Sequence, residues 1–419
     1  MALIVQKFGG SSVGDVERIR HVARRVAQTR REGNDVVVAV SAMGKTTDGL
    51  VALMSQISSS PSAREVDMLL STGEQVSIAL LAQALIEEGV SAVSLTGWQA
   101  GITTEPVHRN APIKTIDTRR MKDLLSEGYV VVVAGFQGVS EGGAITTLGR
   151  GGSDTTAVAV AAALSADFCD IFTDVDGVYT ADPRMVPDAR MHPEISYDEM
   201  LELASLGAKV LHPRSVEYAK HAKLFLRVRS SFNEGTGTVV KGVDQLEQLN
   251  PVTGVTADLK QAKLAVLQVP DRPGVAAQLF GALAKQHIDV DMIIQTEHAA
   301  HGSDRTDIAF TVAEGDLASA RRIVNEVAES LGASGVIAAG DVAKVSIVGA
   351  GMINHPGTAA AMFEALSDAG INIQMISTSE IKVSCVIDRS RAEDAVRALH
   401  RRFALGALGA PQASPQNVQ

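Results

Sequence analysis

The alternation of apolar and polar segments over the first 230 residues predicts a sheet with helices on its faces. Short runs rich in valine and isoleucine alternate with longer segments that are apolar at helical spacing. Such runs are typical of strands buried on both faces, and the alternation is typical of the α/β class. The predicted strands are 3–6, Asp35–Val40, Ala92–Leu95, Tyr129–Ala134, Phe168–Thr173 and Phe225–Val228, and the predicted helices include Val16–Arg31, Ala63–Glu88 and Asp154–Leu164.

The chain from residue 264 onward contains an internal repeat. The segment from Leu264 through Pro273-Gly274 corresponds to the segment from Val345 through Pro356-Gly357, and later apolar residues keep the same offset. Each copy reads as a strand, a Pro-Gly turn, a helix and a further strand, which predicts two small βαβ-type modules. The predicted boundaries are 1–230 for the first domain, 231–263 for a connector that partly joins the second module, 264–340 and 341–405 for the modules, and 406–419 for a disordered tail.

Composition narrows the class of protein. The 419 residues are 46% hydrophobic and 21% charged, which is typical of sizeable cores. The formal net charge of −10 argues against nucleic acid or an acidic membrane as a partner. Two distant cysteines, Cys169 and Cys385, suit a reducing compartment. The longest apolar run, Ala157–Leu164, is too short to span a bilayer, and no signal peptide is visible, so we expect a cytoplasmic protein.

The first predicted strand leads into a glycine-rich turn that begins with a lysine, Lys7-Phe8-Gly9-Gly10-Ser11-Ser12. Backbone N–H groups of such a turn and the start of the next helix can bind an anion. The lysine would add a mobile positive charge. The sequence therefore predicts a polyphosphate site at this strand end, and the alternative is a tight turn with an exposed lysine.

A second glycine-rich segment, Gly149–Thr156, opens a helix of small residues. Its glycines and helix start again form an anion site, and Arg150 could bind a carboxylate or phosphate through paired hydrogen bonds. Asp154 is either a functional acid or only the cap of this helix. Two anion sites in one domain indicate two anionic ligands that meet, as phosphoryl transfer requires.

Three further segments carry polar side chains near predicted strand ends. Ser41–Asp48 nearly matches a Walker P-loop, but Ala39 occupies the position of the leading glycine, so we expect a hydroxyl-rich cleft loop instead. Glu74 follows Ser71-Thr72-Gly73 within a helical segment and is either a ligand or a surface acid. Thr173–Arg184 is out of register with a calcium loop, and it is interpreted as a nucleotide loop or a plain connector.

Two other segments are weaker candidates for a site. Gly349-Ala350-Gly351 lacks the third glycine of a dinucleotide fingerprint, because Asn354 stands there. The loop that carries His298 and His301 has loose metal-ligand spacing and is interpreted as a polar hairpin loop whose role stays open.

Taken together, these motifs resemble the aspartokinases in order and spacing from about residue 3 to residue 405. The motifs are Lys7–Ser12, Ser41–Asp48, Ser71–Glu74, Gly135–Gly138, Gly149–Asp154, Thr173–Arg184 and Gly207–Leu211. The repeat resembles the paired ACT modules of feedback-regulated aspartokinases. The resemblance implies an α/β protein, an amino-acid-kinase-type αβα sandwich followed by two ferredoxin-like (ACT) α+β modules.

The resemblance also implies roles for individual residues. Lys7, Asp154 and Arg150 would be catalytic, with Asp154 positioning Lys7 and Mg²⁺, which ATP would carry without direct protein ligands. ATP would contact Lys7, Gly9, Gly10, Ser11, Thr173, Asp174, Tyr179, Asp182, Arg184 and Lys209. Aspartate would contact Ser41, Thr47, Glu74, Phe136, Arg150, Gly152 and Ser153. Effector sites would include Asp271, Pro273, Gly274, Gln295, Asn372, Ile373, Thr378, Ser379 and Glu380.

The implied activity is ATP-dependent phosphorylation of the β-carboxylate of L-aspartate, the first step toward lysine, threonine and methionine. Lysine, threonine or both would inhibit through the ACT modules. The implied assembly is a homodimer through these modules or a heterotetramer with a separately produced ACT subunit. The alternative is an amino-acid sensor with an inactive kinase domain, which predicts loss of Lys7, Arg150 or Asp154, and all three are present.

Overall fold

The computed structural model describes residues 2–208, 210–246, 250–297 and 304–406, and for Glu297 the backbone alone. These residues form two compact units, 2–179 with 191–246 and 180–190 with 250–406. Lys209, His298, His301 and the predicted tail beyond Gly406 lie outside the described residues. The predicted boundaries differ from these units at two places, residues 180–190 and the connector.

The first unit is built on an eight-stranded sheet in the order β10-β12-β11-β9-β1-β2-β6-β3, with a four-stranded sheet, β5-β4-β7-β8, beside it. Its elements are β1 (Leu3–Phe8), α1 (Val16–Arg31), β2 (Asp35–Val40), α2 (Thr46–Ile57), α3 (Ala63–Leu70), α4 (Thr72–Glu87), β3 (Ala92–Leu95), β4 (Ile102–Thr104), β5 (Ile113–Ile116), α5 (Arg119–Ser126), β6 (Val130–Ala134), β7 (Gln137–Ser140), β8 (Ile145–Thr147), α6 (Gly152–Leu164), β9 (Phe168–Thr173), β10 (Glu194–Ser196), α7 (Tyr197–Ser205), α8 (Pro213–Ala222), β11 (Leu226–Ser230) and β12 (Thr238–Lys241).

The central strands β9, β1, β2 and β6 are parallel neighbours. Their valine-rich runs are buried because α1 and α4 pack on one face and α6 on the other. Phe8 and Phe172, at the ends of β1 and β9, stack with ring centroids 4.6 Å apart. The predicted sandwich of helices around a sheet is confirmed.

The single helix predicted for residues 63–88 is two helices, α3 and α4, separated at Ser71. The Ser71 carbonyl accepts from Gln137 Nε2 at 2.7 Å, which ties the break to β7. Among the described residues, the stretch Ala63–Glu87 alone is long and apolar enough to cross a membrane by length and composition, and half of it is buried.

The second unit contains a six-stranded antiparallel sheet in the order β14-β15-β13-β16-β18-β17. Its elements are β13 (Gly254–Pro270), α9 (Val275–Ala284), β14 (Val290–Glu297), β15 (Arg305–Ala313), α10 (Leu317–Leu331), β16 (Gly335–Val348), α11 (Thr358–Asp368), β17 (Met375–Ser379), β18 (Lys382–Asp388) and α12 (Ala392–Arg402). The two predicted modules share this sheet through the long strands β13 and β16, and each keeps its own apolar core.

Two stretches assigned from the sequence belong elsewhere in the structure. The predicted connector 231–263 includes β12 of the first sheet and the first half of β13, because alternating apolar residues there find strand partners. Residues 180–190, expected in the first domain, lie in the second unit. Ala181 and Val186 join an apolar cluster with Leu366 and Leu399, and Thr180 Oγ1 lies 2.9 Å from His400 Nε2.

Candidate active site

Four of the polar motifs lie at the carboxyl edge of the first sheet. The parallel strands β1, β2, β6 and β9 end at Phe8, Val40, Ala134 and Thr173, and the motifs follow directly. Because these strands are neighbours, their loops meet at one edge, where open α/β sheets bind ligands. The sheet topology thus places the predicted phosphate and substrate loops side by side.

Lys7 and Asp154 form an ion pair at this edge. Lys7 Nζ lies 2.6 Å from Asp154 Oδ1, and both side chains are nearly buried, at 12% and 14% exposure. Gly9 lets the ammonium lie over the turn, since a Cβ there would stand 3.3 Å from Lys7 Nζ. Asp154 is the third residue of α6, whose N-cap is Gly151, so the alternative that Asp154 serves only as the helix cap is wrong.

The glycine turn after β1 packs against the loop after β2. A Cβ on Gly10 would stand 2.9 Å from the Ala42 carbonyl oxygen, and Gly44 N donates to Gly10 O at 3.0 Å. Ser41 is half-buried in the same loop, and Ser11 is exposed at the turn. The two loops therefore hold each other in place through their backbones.

The two predicted anion sites differ in their helix ends. The α1 N-terminus is capped by Asp15, whose side chain accepts from Arg18 N at 2.9 Å and so satisfies one of the first N–H groups of the helix. The α6 N-terminus begins at Gly151 with φ +70° and has no side-chain cap. Gly152 N donates to Gly149 O at 3.0 Å, and the positive dipole end with the N–H groups that follow is open to an anion. The assistance of α1 to the first turn stays a prediction.

Glu74 is a buried carboxylate with one oxygen in use. Its side chain is 3% exposed, and Oε1 accepts from Ala42 N at 3.1 Å. Within the described part of the chain, Oε2 has no hydrogen-bond partner. Burial raises the pKa of Glu74 to about 7. An unsatisfied buried oxygen beside the phosphate loops is the property expected of an ammonium ligand, and it disfavours the surface-acid interpretation.

The loop after β6 packs tightly on the start of α6. A Cβ on Gly135 would stand 2.9 Å from Ser153 Oγ, and a Cβ on Gly152 would stand 2.8 Å from Phe136 Cδ2. Phe136 adopts φ +69°, which is unusual for an aromatic residue and marks a constrained position. Thr47 is half-buried at the start of α2. The predicted substrate residues thus lie on the segment after β2, on the loop after β6, at the start of α6 and, for Glu74, on α4.

Arg150 stands in the turn before α6, between Gly149 at φ +79° and Gly151 at φ +70°. Its side chain is exposed, and no hydrogen bond or ion pair engages it among the described residues. The free guanidinium is available to a carboxylate or phosphate.

The residues predicted to contact ATP after β9 are divided between the two units. Thr173 and Asp174 follow β9, and Thr173 Oγ1 donates to Asp174 Oδ1 at 3.1 Å. Desolvation, with Asp176 nearby, raises the pKa of Tyr179. Asp182 and Arg184 pair with each other in the second unit. Their roles, and that of Lys209, stay predictions.

A residue that the sequence analysis missed lies against the α6 turn. A Cβ on Gly151 would stand 2.2 Å from His212 Cγ, so the imidazole covers that glycine. Desolvation lowers the pKa of His212, which favours the neutral ring. His212 directly follows the motif Gly207–Leu211, and this adjacency is the signal that could have found it.

The second unit contains a cleft of about 360 Å³ at the first Pro-Gly turn. Four predicted effector residues, Asp271, Pro273, Gly274 and Gln295, line it. Gly274 has φ +97°, and α9 begins at the next residue without a side-chain cap. Asn372 and Ile373, together with Thr378, Ser379 and Glu380, do not line this cleft and lie in the second module.

Comparison with known proteins decides the family. Residues 2–230 match the amino acid kinase family, and residues 264–329 and 345–403 each match the ACT domain. The aspartokinase of Geobacillus stearothermophilus is 56% identical over 405 residues, covering 97% of this chain and 98% of the relative. The chain belongs to the aspartokinase family. The resemblance predicted from the motifs is confirmed, and with it an ATP-dependent phosphotransferase with ACT domains.

Two solved aspartokinase structures share the fold. Escherichia coli aspartokinase III in complex with aspartate and ADP (R-state) is 27% identical, with a TM-score of 0.80 over 96% of this chain and 99% of that one. The same enzyme in complex with lysine and aspartate (T-state) is 27% identical, with a TM-score of 0.77 and the same coverage.

Proposed function

We propose that the protein transfers the γ-phosphoryl group of ATP to the β-carboxylate of L-aspartate, giving 4-phospho-L-aspartate and ADP. The observation that carries the proposal is the pair of unsatisfied charged groups at the sheet edge. Glu74 offers a buried oxygen to an ammonium, and Arg150 offers a free guanidinium to a carboxylate. An α-amino acid carries both groups. The aspartate and ADP in the E. coli relative support this substrate pair.

The nucleophile needs no general base. The β-carboxylate of aspartate has a free pKa of about 3.9 and is ionised at neutral pH. Attack on the γ-phosphorus forms the new O–P bond and breaks the bond to the ADP oxygen, with no proton transfer. The chemical work is therefore alignment and charge stabilisation. With its two ends held by Glu74 and Arg150, aspartate would present its β-carboxylate toward Lys7.

The main obstacle is charge repulsion between two anions. Two unit charges about 4 Å apart repel by about 4 kcal/mol at an effective dielectric near 20. Lys7 can offset this repulsion, and Asp154 holds its ammonium at the strand edge. The uncapped α6 N-terminus adds N–H donors for the charge that spreads over the γ-phosphoryl oxygens in the transition state.

Magnesium would arrive with ATP. No group of three metal-ligating side chains is found among the described residues, and Asp154 supplies one hard carboxylate oxygen next to Lys7. Mg²⁺ is commonly bound by one or two carboxylates together with substrate phosphates, so the donor set fits the ion. When bound, Mg²⁺ would neutralise charge on the β- and γ-phosphate oxygens.

The test is ADP release from Mg-ATP with L-aspartate, compared with glutamate, acetylglutamate and UMP. Turnover with aspartate, and with none of the other three acceptors, supports the proposal. Turnover with another acceptor contradicts it. No turnover together with tight binding of lysine or threonine would instead favour an amino-acid sensor with an inactive kinase domain.

The regulation and assembly of the enzyme form a second part of the proposal. Lysine, threonine or both bind at the Pro-Gly cleft of the first ACT module, where Gln295 and the α9 N-terminus offer polar groups. Lysine in the T-state of the E. coli relative supports the effector class. Binding favours a less active state, as end-product control of lysine, threonine and methionine synthesis requires. The assembly is an oligomer of this chain or one with a separate ACT subunit, and light scattering with and without lysine tests it.

A further inference from the structure

Asp67 on α3 is a fully buried carboxylate that the proposed reaction does not use. Its exposure is 0%, and it accepts three kinds of donor. Thr147 Oγ1 donates to Oδ1 at 2.6 Å, Arg109 N donates to Oδ2 at 3.0 Å, and His108 Nδ1 lies 2.8 Å from Oδ2. Burying a carboxylate costs free energy unless its oxygens accept hydrogen bonds. Asp67 therefore holds these three donors firmly in place.

The donors come from two segments that flank the Arg150 turn. Thr147 ends β8, three residues before Arg150. His108 and Arg109 belong to the loop after β4, in which Arg109 adopts φ +70°. A left-handed conformation is strained for arginine, and the hydrogen bond from its backbone N–H to Asp67 helps to hold it. Asp67 thus joins α3 to both segments.

The loop of residues 108–110 packs against the turn that carries Arg150. A Cβ on Gly149 would stand 2.9 Å from the Arg109 carbonyl oxygen and 2.8 Å from Asn110 Oδ1. Arg214 Nη1 donates to Asn110 Oδ1 at 2.7 Å and to the Leu148 carbonyl at 2.9 Å. The loop and the residue before the turn are therefore tied together by one guanidinium.

We infer that Asp67 is a positioning residue for Arg150, acting through the 108–110 loop. The backbone on both sides of Arg150 is held, while its guanidinium is free. Fixing the backbone narrows the region that the guanidinium explores and aims it at the substrate carboxylate. Losing this support would weaken aspartate binding without touching Lys7 or Glu74. This inference rests on the proposed function, in which Arg150 binds aspartate.

The test compares Asp67→Ala and Asn110→Ala with the wild-type full-length chain. Because small displacements of a binding group reduce its contribution strongly, Asp67→Ala should raise the KM for aspartate about tenfold. Asn110 is exposed, so Asn110→Ala should fold and raise the same KM about threefold. The KM for ATP should change less than twofold in both variants.

The matched control is Glu199→Ala. Glu199 is also a buried carboxylate of the first unit, at 3% exposure, and it completes the capping box of α7 by accepting from Ser196 N at 3.1 Å. The Glu199→Ala variant should lower thermal stability as Asp67→Ala does, and its KM for aspartate should stay within twofold of the wild-type value. In an Arg150→Ala background, Asp67→Ala should add less than a twofold change, because the group that it positions is gone.

If the wild type phosphorylates aspartate, two results would overturn the inference. One is an unchanged KM for aspartate in both variants. The other is that Asp67→Ala raises the KM for aspartate by the same factor in the Arg150→Ala background as in the wild type. If the wild type consumed no aspartate, the proposed function would fall separately. In that case, amide hydrogen exchange would still measure whether Asp67 stabilises the backbone of the turn that carries Arg150. Faster exchange at residues 149–152 in Asp67→Ala, and not in Glu199→Ala, upholds it, and equal exchange rejects it.

Discussion

Glu74→Gln should stabilise the protein at neutral pH and weaken aspartate binding at the same time. The carboxyl is 3% exposed and has a pKa near 7, against 4.5 for the free side chain. The folded protein therefore binds more protons than the unfolded chain between about pH 4.5 and 7. The contribution of Glu74 to the free energy of unfolding therefore falls as pH rises through that window, and above the window it is constant.

The magnitude follows from the shift. A difference of about 2.5 pKa units corresponds to about 3 kcal/mol at 1.36 kcal/mol per unit. Glutamine keeps the shape and the acceptor for Ala42 N, and it carries no charge to desolvate. The stability difference between Glu74→Gln and wild type should be near zero at pH 4, should grow between pH 4.5 and 7, and should reach about 3 kcal/mol at pH 8.

The assay is urea unfolding at pH 4 to 8, followed by the fluorescence of Trp98, the single tryptophan, which lies in the first unit. Glu87→Gln, at an exposed position on the same helix, is the control and should show no pH-dependent difference. The KM for aspartate should rise at least tenfold in Glu74→Gln, because the substrate ammonium loses a charged partner. A stability difference that does not vary with pH, or an unchanged KM, would refute the reasoning.

Three further outcomes test the site and the regulatory cleft. Lys7→Met should lower kcat at least a hundredfold in the ADP-release assay, because a charge on the transferring group is lost, and a normal kcat would rule out the assignment. Gly10→Ala should raise the KM for ATP and lower the melting temperature, since its Cβ would stand 2.9 Å from the Ala42 carbonyl, whereas Gly49→Ala meets nothing within 4 Å and should do neither. Gln295→Ala should keep kcat while weakening inhibition by lysine or threonine at least fivefold in inhibitor titrations, and unchanged inhibition would contradict the effector site.

Much of the fold could be predicted from local pattern. The strands Asp35–Val40, Ala92–Leu95 and Phe168–Thr173 and the helix Val16–Arg31 have the predicted bounds. Valine-rich runs and a 3.6-residue apolar stripe are local signals, and they determine elements reliably when the segment is long or bounded by turn residues. The repeat likewise predicted two modules, because its Pro-Gly turns recur at the same place in each copy.

The errors arise where a distant partner decides the local structure. At the break between α3 and α4, the Ser71 carbonyl accepts from the side-chain amide of Gln137, 66 residues further along the chain. Residues 180–190 were assigned to the first domain by position in the chain. Their apolar side chains are buried in the second unit instead, where Ala181 and Val186 belong to the same apolar cluster as Leu399.

The sequence by itself determined which elements form, where the repeat lies and which motifs stand at strand ends, since these follow from periodicity and turn chemistry within a few residues. Only the tertiary structure decided which of these groups are buried and which are paired. Glu74 has its raised pKa because neighbouring loops exclude water from it, and Lys7 meets Asp154 because β1 and α6 pack together. Burial and long-range pairing depend on residues far apart in the chain, so no local pattern encodes them.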